Sequence, residues 1–219
     1  MTRTEITIDR FDWKDLDGTD LGIRYARFRG RVYVLERQFR DPDVLDLRGG
    51  ETDEFDPHSV HFLASDGTSG EIIGCVRSIA VADGEFPLQH HFPGALERSG
   101  IDSQDCVEVS RFIADHESFR LRRTTSLLLI RSVVRDCIVR ERSHTIFIVE
   151  ELFARWLGRL GVPVELLDEF REIPEEHGVL APIAVNAVVC DATLASLHRA
   201  YGRARKNAHH HLHFAEVSA

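Results

Sequence analysis

Apolar residues recur along this chain in two rhythms. Tyr25, Phe28, Val32, Leu35 and Phe39 fall at helical spacing in LGIRYARFRGRVYVLERQF and predict an amphipathic helix, with Gly30 out of place inside it. Leu127, Ile130, Val134, Cys137 and Ile138 predict a second helix over Thr124–Arg142. Between them, VHFLAS and EIIGCVRSIAV flank DGTSG and predict a hairpin, and VEVSRFIAD predicts a third strand. TIFIVEE is then a strand, ELFARWLGRLG a short helix stopped at Gly161, VPVELLDEF and APIAVNAVVC two strands, and DATLASLHRAYGRA a helix capped by Asp191. This order predicts an α/β fold with a mixed central sheet and helices on both faces. Without repeats or low-complexity linkers, residues 1–219 are expected to form a single domain.

Charge and cysteine usage narrow the class. A net charge of −9 argues against nucleic acid as the main partner. No apolar run reaches the roughly 20 residues of a membrane span, and the acidic first residues do not resemble a signal peptide. Cys75, Cys106, Cys137 and Cys190 are widely spaced and expected to be reduced core thiols of a cytoplasmic protein. Between Phe119 and Ser143, seven arginines (Arg120, Arg122, Arg123, Arg131, Arg135, Arg140, Arg142) face only Asp136 and Glu141. Such a segment is either a solvated helix face or a dock for an acidic partner.

Charged residues also interrupt runs that otherwise read as buried strands. Arg77 lies within GCVRSIAV, and Glu108, Ser110 and Arg111 lie within VEVSRF. A charge in such a place is costly unless paired or used. Upstream stand Arg29, Tyr33, Glu36 and Phe39, then Glu51, Asp53 and Asp56 in ETDEFD, then His61. The acids sit in a long polar loop, where irregular backbone lets them converge on Arg29 and Arg77. The alternatives are a solvated acidic loop or a calcium loop, although the glycine and spacing of an EF-hand are missing. Glu108 and Arg111, three apart, point to opposite faces unless a bulge intervenes, and bulges are common beside active sites.

Taken in order, the arginine–aromatic helix, ExDxxD, the strand arginine and ExSR resemble the autoinducer-synthase-like branch of the GNAT acyltransferases. That branch includes acyl-homoserine-lactone synthases, N-acyl amino acid synthases and acyltransferases associated with PEP-CTERM/exosortase systems. The resemblance is strongest from Tyr25 to Phe112 and architectural onward to Gly202. Phe39 and His61 stand where homoserine-lactone synthases carry tryptophan and tyrosine, a departure that bears on S-adenosylmethionine as acceptor and not on acyl transfer.

The resemblance implies a GNAT-like (acyl-CoA N-acyltransferase) fold that moves a fatty acyl chain from acyl carrier protein to the amine of an amino acid or related small molecule. It makes Glu108 the general base, against a bland role for Glu108 and Arg111 in fixing the strand. Ser110 and the main chain near Phe112 are oxyanion donors; Ser110 lacks the GxSxG setting of a nucleophile. Arg29, Tyr33, Phe39, Glu51, Asp53, Asp56, His61, Arg77, Arg111 and Phe112 would shape the acceptor site, with residues 1–50 as a mobile lid. Tyr33, Phe39 and His61 are equally at home in a core. FRLRRTTSLLL has no glycine where coenzyme-A-dependent relatives have a glycine-rich turn, so Arg120, Arg122 and Arg123 are expected to dock acyl carrier protein. No metal and no tightly bound cofactor is expected. The other readings are a homoserine-lactone synthase using S-adenosylmethionine and a non-catalytic carrier-binding regulator. His90 and His91 are assigned to a loop without a role, Ile146 and Ile148 to an acyl tunnel or plain core, and residues 205–219, with His209, His210, His211 and His213, to a flexible tail.

Overall fold

The computed structural model describes residues 5–80, 86–160, 162, 164–172 and 184–191. Among the described residues, eight strands form one sheet: β1 (Ile6–Asp12), β2 (Ser59–Asp66), β3 (Ile72–Ile79), β4 (Cys106–Ala114), β5 (His144–Glu150), β6 (Val164–Leu166), β7 (Arg171–Glu172) and β8 (Ala184–Asp191). Their order is β1-β2-β3-β4-β5-β8-β6, with β7 also on β8. All pairings are antiparallel except β4–β5, whose parallel strands are joined by the 21-residue helix α4 (Phe119–Val139). Helix α1 (Asp20–Arg29) covers one face, and α5 (Glu151–Leu160) follows β5 directly. Among the described residues, no helix is long and apolar enough to cross a membrane.

The middle strands read as near-continuous apolar runs because both faces are covered. On one face Val60, Phe62, Val76 and Val107 pack with Leu129, Val133 and Cys137 of α4. On the other, Leu63, Cys75 and Ile113 meet Tyr25, Phe28 and Val32. Farther along that second face, α2 (Pro87–His91) and α3 (Ala95–Ser99) lay Phe86, Leu88, Phe92 and Leu96 over Cys106 and Ile146. That face therefore has two coverings, and Glu108 lies near where they meet.

Three sequence expectations are corrected, and one strand is new. The apolar pattern of the first helix does not run through: after Arg29 the backbone widens into a π-helix, Gly30–Glu36. More residues per turn shift the phase, so Val32 stays buried while Leu35 is 58% exposed and Phe39 lies beyond the helix. The buried stripe of α4 is Thr125, Leu129, Val133, Asp136 and Cys137, of which only Cys137 belongs to the expected set. Two polar members disguise it: Asp136 accepts from Ser78 and pairs with Arg140. Strand β1 escapes the sequence reading because charges interrupt its alternation. His90 and His91 end helix α2 rather than sitting in a loop.

Other expectations fall variously. The hairpin, β4, β5, α5 and β8 form as expected. Ile146 is fully buried in the core under α2 and α3, with Ile148 packed at its edge. Cys75, Cys106 and Cys137 are buried free thiols. The C-terminal helix and the histidine tail lie outside the described residues.

Gly30 is an oddity in the sequence and a necessity in the fold. A Cβ there would stand 2.3 Å from the Gly49 carbonyl oxygen and 2.9 Å from Leu45 Cδ2. Gly30→Ala is therefore expected to cost about 1–3 kcal/mol, read as a lower urea midpoint. Protection of the Glu51 amide, which donates to Ala26 O across this contact, should fall with it. An unchanged midpoint would mean the loop moves aside freely.

Candidate active site

The site begins with a bulge. β3 and β4 pair Arg77 with Ser110, then resume at Cys75 with Ile113, so Val76 faces two residues, Arg111 and Phe112. Arg111 takes up the extra residue in the left-handed region, at φ 53°. Simple alternation would send its side chain toward α4. With the bulge, Arg111 joins Ser110 on the α1 face, while Phe112 turns to the other side and packs on Phe153 at 5.4 Å.

From there a buried ionic network assembles. Arg111 forks onto Glu51, with Nη2 2.8 Å and Nε 3.1 Å from Oε1, and Nη2 also reaches Asp53 Oδ2 at 2.8 Å. Arg29 donates to Glu51 Oε2 at 2.5 Å and Asp56 Oδ1 at 2.7 Å. Arg77 binds Asp53, Asp56 Oδ1 at 2.8 Å and, through Nε, the Ser110 hydroxyl oxygen at 2.9 Å. Arg40 adds a contact to Glu51 at 3.3 Å. Arg29, Glu51 and Asp56 have no solvent exposure, and Arg77 has 1%. Three carboxylates and three guanidinium groups thus balance out of water, the arrangement a buried charge requires.

Local chain geometry sets these partners. The Asp53 amide donates to Asp56 Oδ2 and the Phe55 amide to Asp53 Oδ1, curling ETDEFD so that its acids face one way. Burial alone would raise the Glu51 carboxyl, but Arg111 and Arg29 outweigh it and hold it well below the usual range. Burial likewise opposes ionisation of Asp53, and Arg77 and Arg111 bring its carboxyl below the ordinary value. Tyr33 lies under the Arg111 guanidinium at 5.3 Å and meets Phe39 edge-on at 5.4 Å.

His61 sits behind the network. Its Nε2 lies 3.2 Å from the Asp56 carbonyl oxygen, an acceptor, so that nitrogen carries the proton and Nδ1 accepts from the Tyr25 hydroxyl at 3.0 Å. Burial pushes His61 down to about 4. A histidine depressed in the folded state favours folding above its unfolded value, near 6.5, and that contribution is lost as pH falls toward 4. Stability should therefore drop by about 3 kcal/mol across this window, ahead of the carboxylates. His61→Gln should flatten the decline between pH 6.5 and 5 in urea titrations; an unaltered slope would exclude His61 as its source.

Glu108 lies two residues along the same face from Ser110. It is 2% exposed, and its Oε2 accepts the Leu88 amide at 2.9 Å. Beside it the sheet opens: β4 and β5 pair only at Cys106–His144, Val107–Thr145 and Glu108–Ile146. From Val109 onward, that edge of β4 turns its main-chain groups into a wedge. At the far end of the wedge is a cavity of about 390 Å³ lined by Ala114, Phe119, Arg122, Arg123, Ser126, Trp156 and Arg159. It stands at the N-terminus of α4, where Ser118 makes no side-chain cap.

Of the anticipated residues, Arg29, Glu51, Asp53, Asp56, Arg77, Ser110 and Arg111 form one network, with Tyr33 and His61 against it. Glu108 adjoins them and is bonded elsewhere. Phe112 faces away. Arg122 and Arg123 line the cavity, whereas Arg120 is exposed outside its lining. Arg40, Leu88, Trp156 and Arg159 were not anticipated. Among the described residues no cluster of metal-binding side chains occurs.

The arrangement places a buried carboxylate, Glu108, beside the point where β4 and β5 part. Residues 28–130 match the acetyltransferase (GNAT) domain family. No curated protein matches the chain. Among solved structures, BjaI, described as a CoA-dependent acyl-homoserine lactone synthase with SAM and isopentyl-CoA, superposes with a TM-score of 0.70 at 22% identity, over 91% of this chain and 89% of that one. MesI, also described as CoA-dependent, gives 0.69 at 18% identity over 90% and 94%. FeeM, an N-acyl amino acid synthase from uncultured soil microbes, gives 0.57 at 14% over 89% and 98%. Residues 28–130 thus resemble the GNAT acetyltransferase domain, and the chain has the fold seen in these synthases.

Proposed function

We propose that this enzyme transfers a fatty acyl group from the thioester of acyl carrier protein to the α-amine of an amino acid or a similar small molecule, in the cytoplasm. The observation that carries this is the placement of a buried carboxylate, Glu108, at the mouth of the β4–β5 wedge. The acceptor amine attacks the thioester carbonyl, forming the C–N bond. Glu108 takes the proton that the nitrogen sheds. The carbonyl oxygen, briefly an oxyanion, meets main-chain N–H groups near Phe112 and the Ser110 hydroxyl. Because Arg77 Nε occupies the Ser110 oxygen, the hydroxyl proton is free to point toward the substrate. The C–S bond then breaks, and the carrier leaves as a thiol after gaining a proton.

The donor end supports a phosphopantetheine arm. Arg122, Arg123 and Arg159 line the cavity of about 390 Å³, with Phe119 71% exposed at its rim. Such a rim suits an acidic carrier, with Arg120 beside it. Arg122→Glu combined with Arg123→Glu should raise KM for acyl carrier protein at least tenfold, a change of about 1.4 kcal/mol, with little change in thermal stability. Acyl-CoA, assayed in parallel, decides the donor: a preference for CoA would reject the carrier-protein part of the proposal.

Overall likeness to the homoserine-lactone synthases favours a second reading, with S-adenosylmethionine as acceptor. Against it, Glu51, Asp53 and Asp56 are each bound by at least two arginines, and none is spare for a sulfonium. Mass spectrometry of lipid extracts from a bacterial host expressing the chain, with Glu108→Gln as control, separates the readings. Fatty amides of an ordinary amino acid support the first and acyl-homoserine lactones the second. No product in any extract, or with acyl carrier protein and a panel of amines in vitro, would favour a carrier-binding module.

A further inference from the structure

We infer that the main-chain N–H of Leu88 is a positioning group for Glu108, holding its carboxylate aimed and ionised at the wedge. This rests on the reading of Glu108 as the base. Glu108 Oε2 accepts the Leu88 amide at 2.9 Å, and the residue is 2% exposed. A hydrogen bond from an N–H favours the charged form of a carboxylate and lowers its pKa. A general base near neutral pH must be ionised before the amine arrives, yet burial on apolar β4 beside Ile146 and Leu88 works against ionisation. The Leu88 amide opposes that penalty.

The geometry makes the contact specific. Pro87 has no amide proton, and the Phe86 amide is taken by Gln89 Oε1 at 2.9 Å, so Leu88 presents the first amide of α2 open to Glu108. The Leu88 side chain, with no exposure, anchors that amide in the core formed by Phe86, Phe92 and Ile146. The segment is thus fixed by packing at one end of the residue and bonded to the carboxylate at the other. The charged or titratable groups on the described elements around Glu108 include Arg77 on β3, Cys106 and Arg111 on β4, His144 and Glu150 on β5, Asp53 and Asp56 on the acidic loop, and His90 and His91 on α2. Those arginines and aspartates are committed to one another. His90 meets the Phe55 ring at a tilt, with centroids 6.1 Å apart.

The test removes only the N–H. Replacing the Pro87–Leu88 amide with an ester, by incorporating the α-hydroxy analogue of leucine, keeps the side chain and deletes the donor. Full-length protein labelled with ¹³C at glutamate carboxyls is titrated by NMR, and Glu108 is identified by the resonance lost in Glu108→Gln. The ester should raise the Glu108 midpoint by about half to one pH unit. Leu88→Ala, which trims packing but keeps the N–H, should leave the midpoint within a few tenths. Identical titration in the ester and native proteins overturns the inference, and so does an equal rise in Leu88→Ala, which would trace the effect to packing. The reading of Glu108 as base stands or falls separately, on the turnover of Glu108→Gln.

Discussion

Replacing Glu108 with glutamine should cut acyl transfer by roughly 10²–10⁴-fold while the protein stays folded and keeps its affinity for the donor. Glutamine has the size of the native side chain, and its amide oxygen can still accept the Leu88 N–H that Glu108 binds at 2.9 Å. What disappears is the capacity to take a proton. In the proposed reaction an amine attacking a thioester would shed that proton in the wedge, where β4 and β5 have parted. The loss should therefore fall on kcat, with donor KM changed by less than about threefold, since the cavity lined by Arg122 and Arg123 lies at the other end of the wedge. Raising the pH, which deprotonates the free amine, should recover part of the lost rate in the variant. Full turnover by the variant would remove Glu108 from the chemistry and leave the arginines and main-chain groups to account for it.

The polar half of this site was legible because its residues are conspicuous. Arg77 and Arg111 interrupt strands that are otherwise apolar, and the closely spaced carboxylates of ETDEFD suggest partners. The bulge was legible only as a requirement: Glu108 and Arg111 could share a face only if the alternation broke between them, and the register shift at Val76 breaks it. Other features gave no local sign. Arg40 resembles any surface arginine until its contact with Glu51 is seen. The Leu88 amide is main chain and carries no signal in residue type. The wide turns after Gly30 overrode a regular apolar pattern because the acidic loop must pass within contact of the helix there. Thr125 and Asp136 hid the true face of α4 by being polar; for Asp136, tertiary partners rather than hydropathy account for the burial.

Removing Asp56 should destabilise the protein by about 3–5 kcal/mol, more than any other single change considered for the network. Its Oδ1 accepts from Arg29 at 2.7 Å and Arg77 at 2.8 Å, and its Oδ2 from the Asp53 amide at 3.0 Å. Asp56→Ala leaves two guanidinium groups facing each other out of water with one carboxylate fewer to separate them. Asp56→Asn keeps the shape and one acceptor but not the charge, so its loss should be smaller. The exposed pair of Arg31 with Glu36, both nearly half exposed, is the internal control: Glu36→Gln should cost less than about 1 kcal/mol. Urea unfolding of the three variants at pH 7 ranks them. The consequence also reaches the chemistry, because Arg77 is held by Asp53 and Asp56 while its Nε holds Ser110. On the proposed function, Asp56→Asn should therefore lower kcat even where the protein remains folded, and a variant as stable and as active as the native protein would show the network to be neither a strap for the N-terminal segment nor a mount for Ser110.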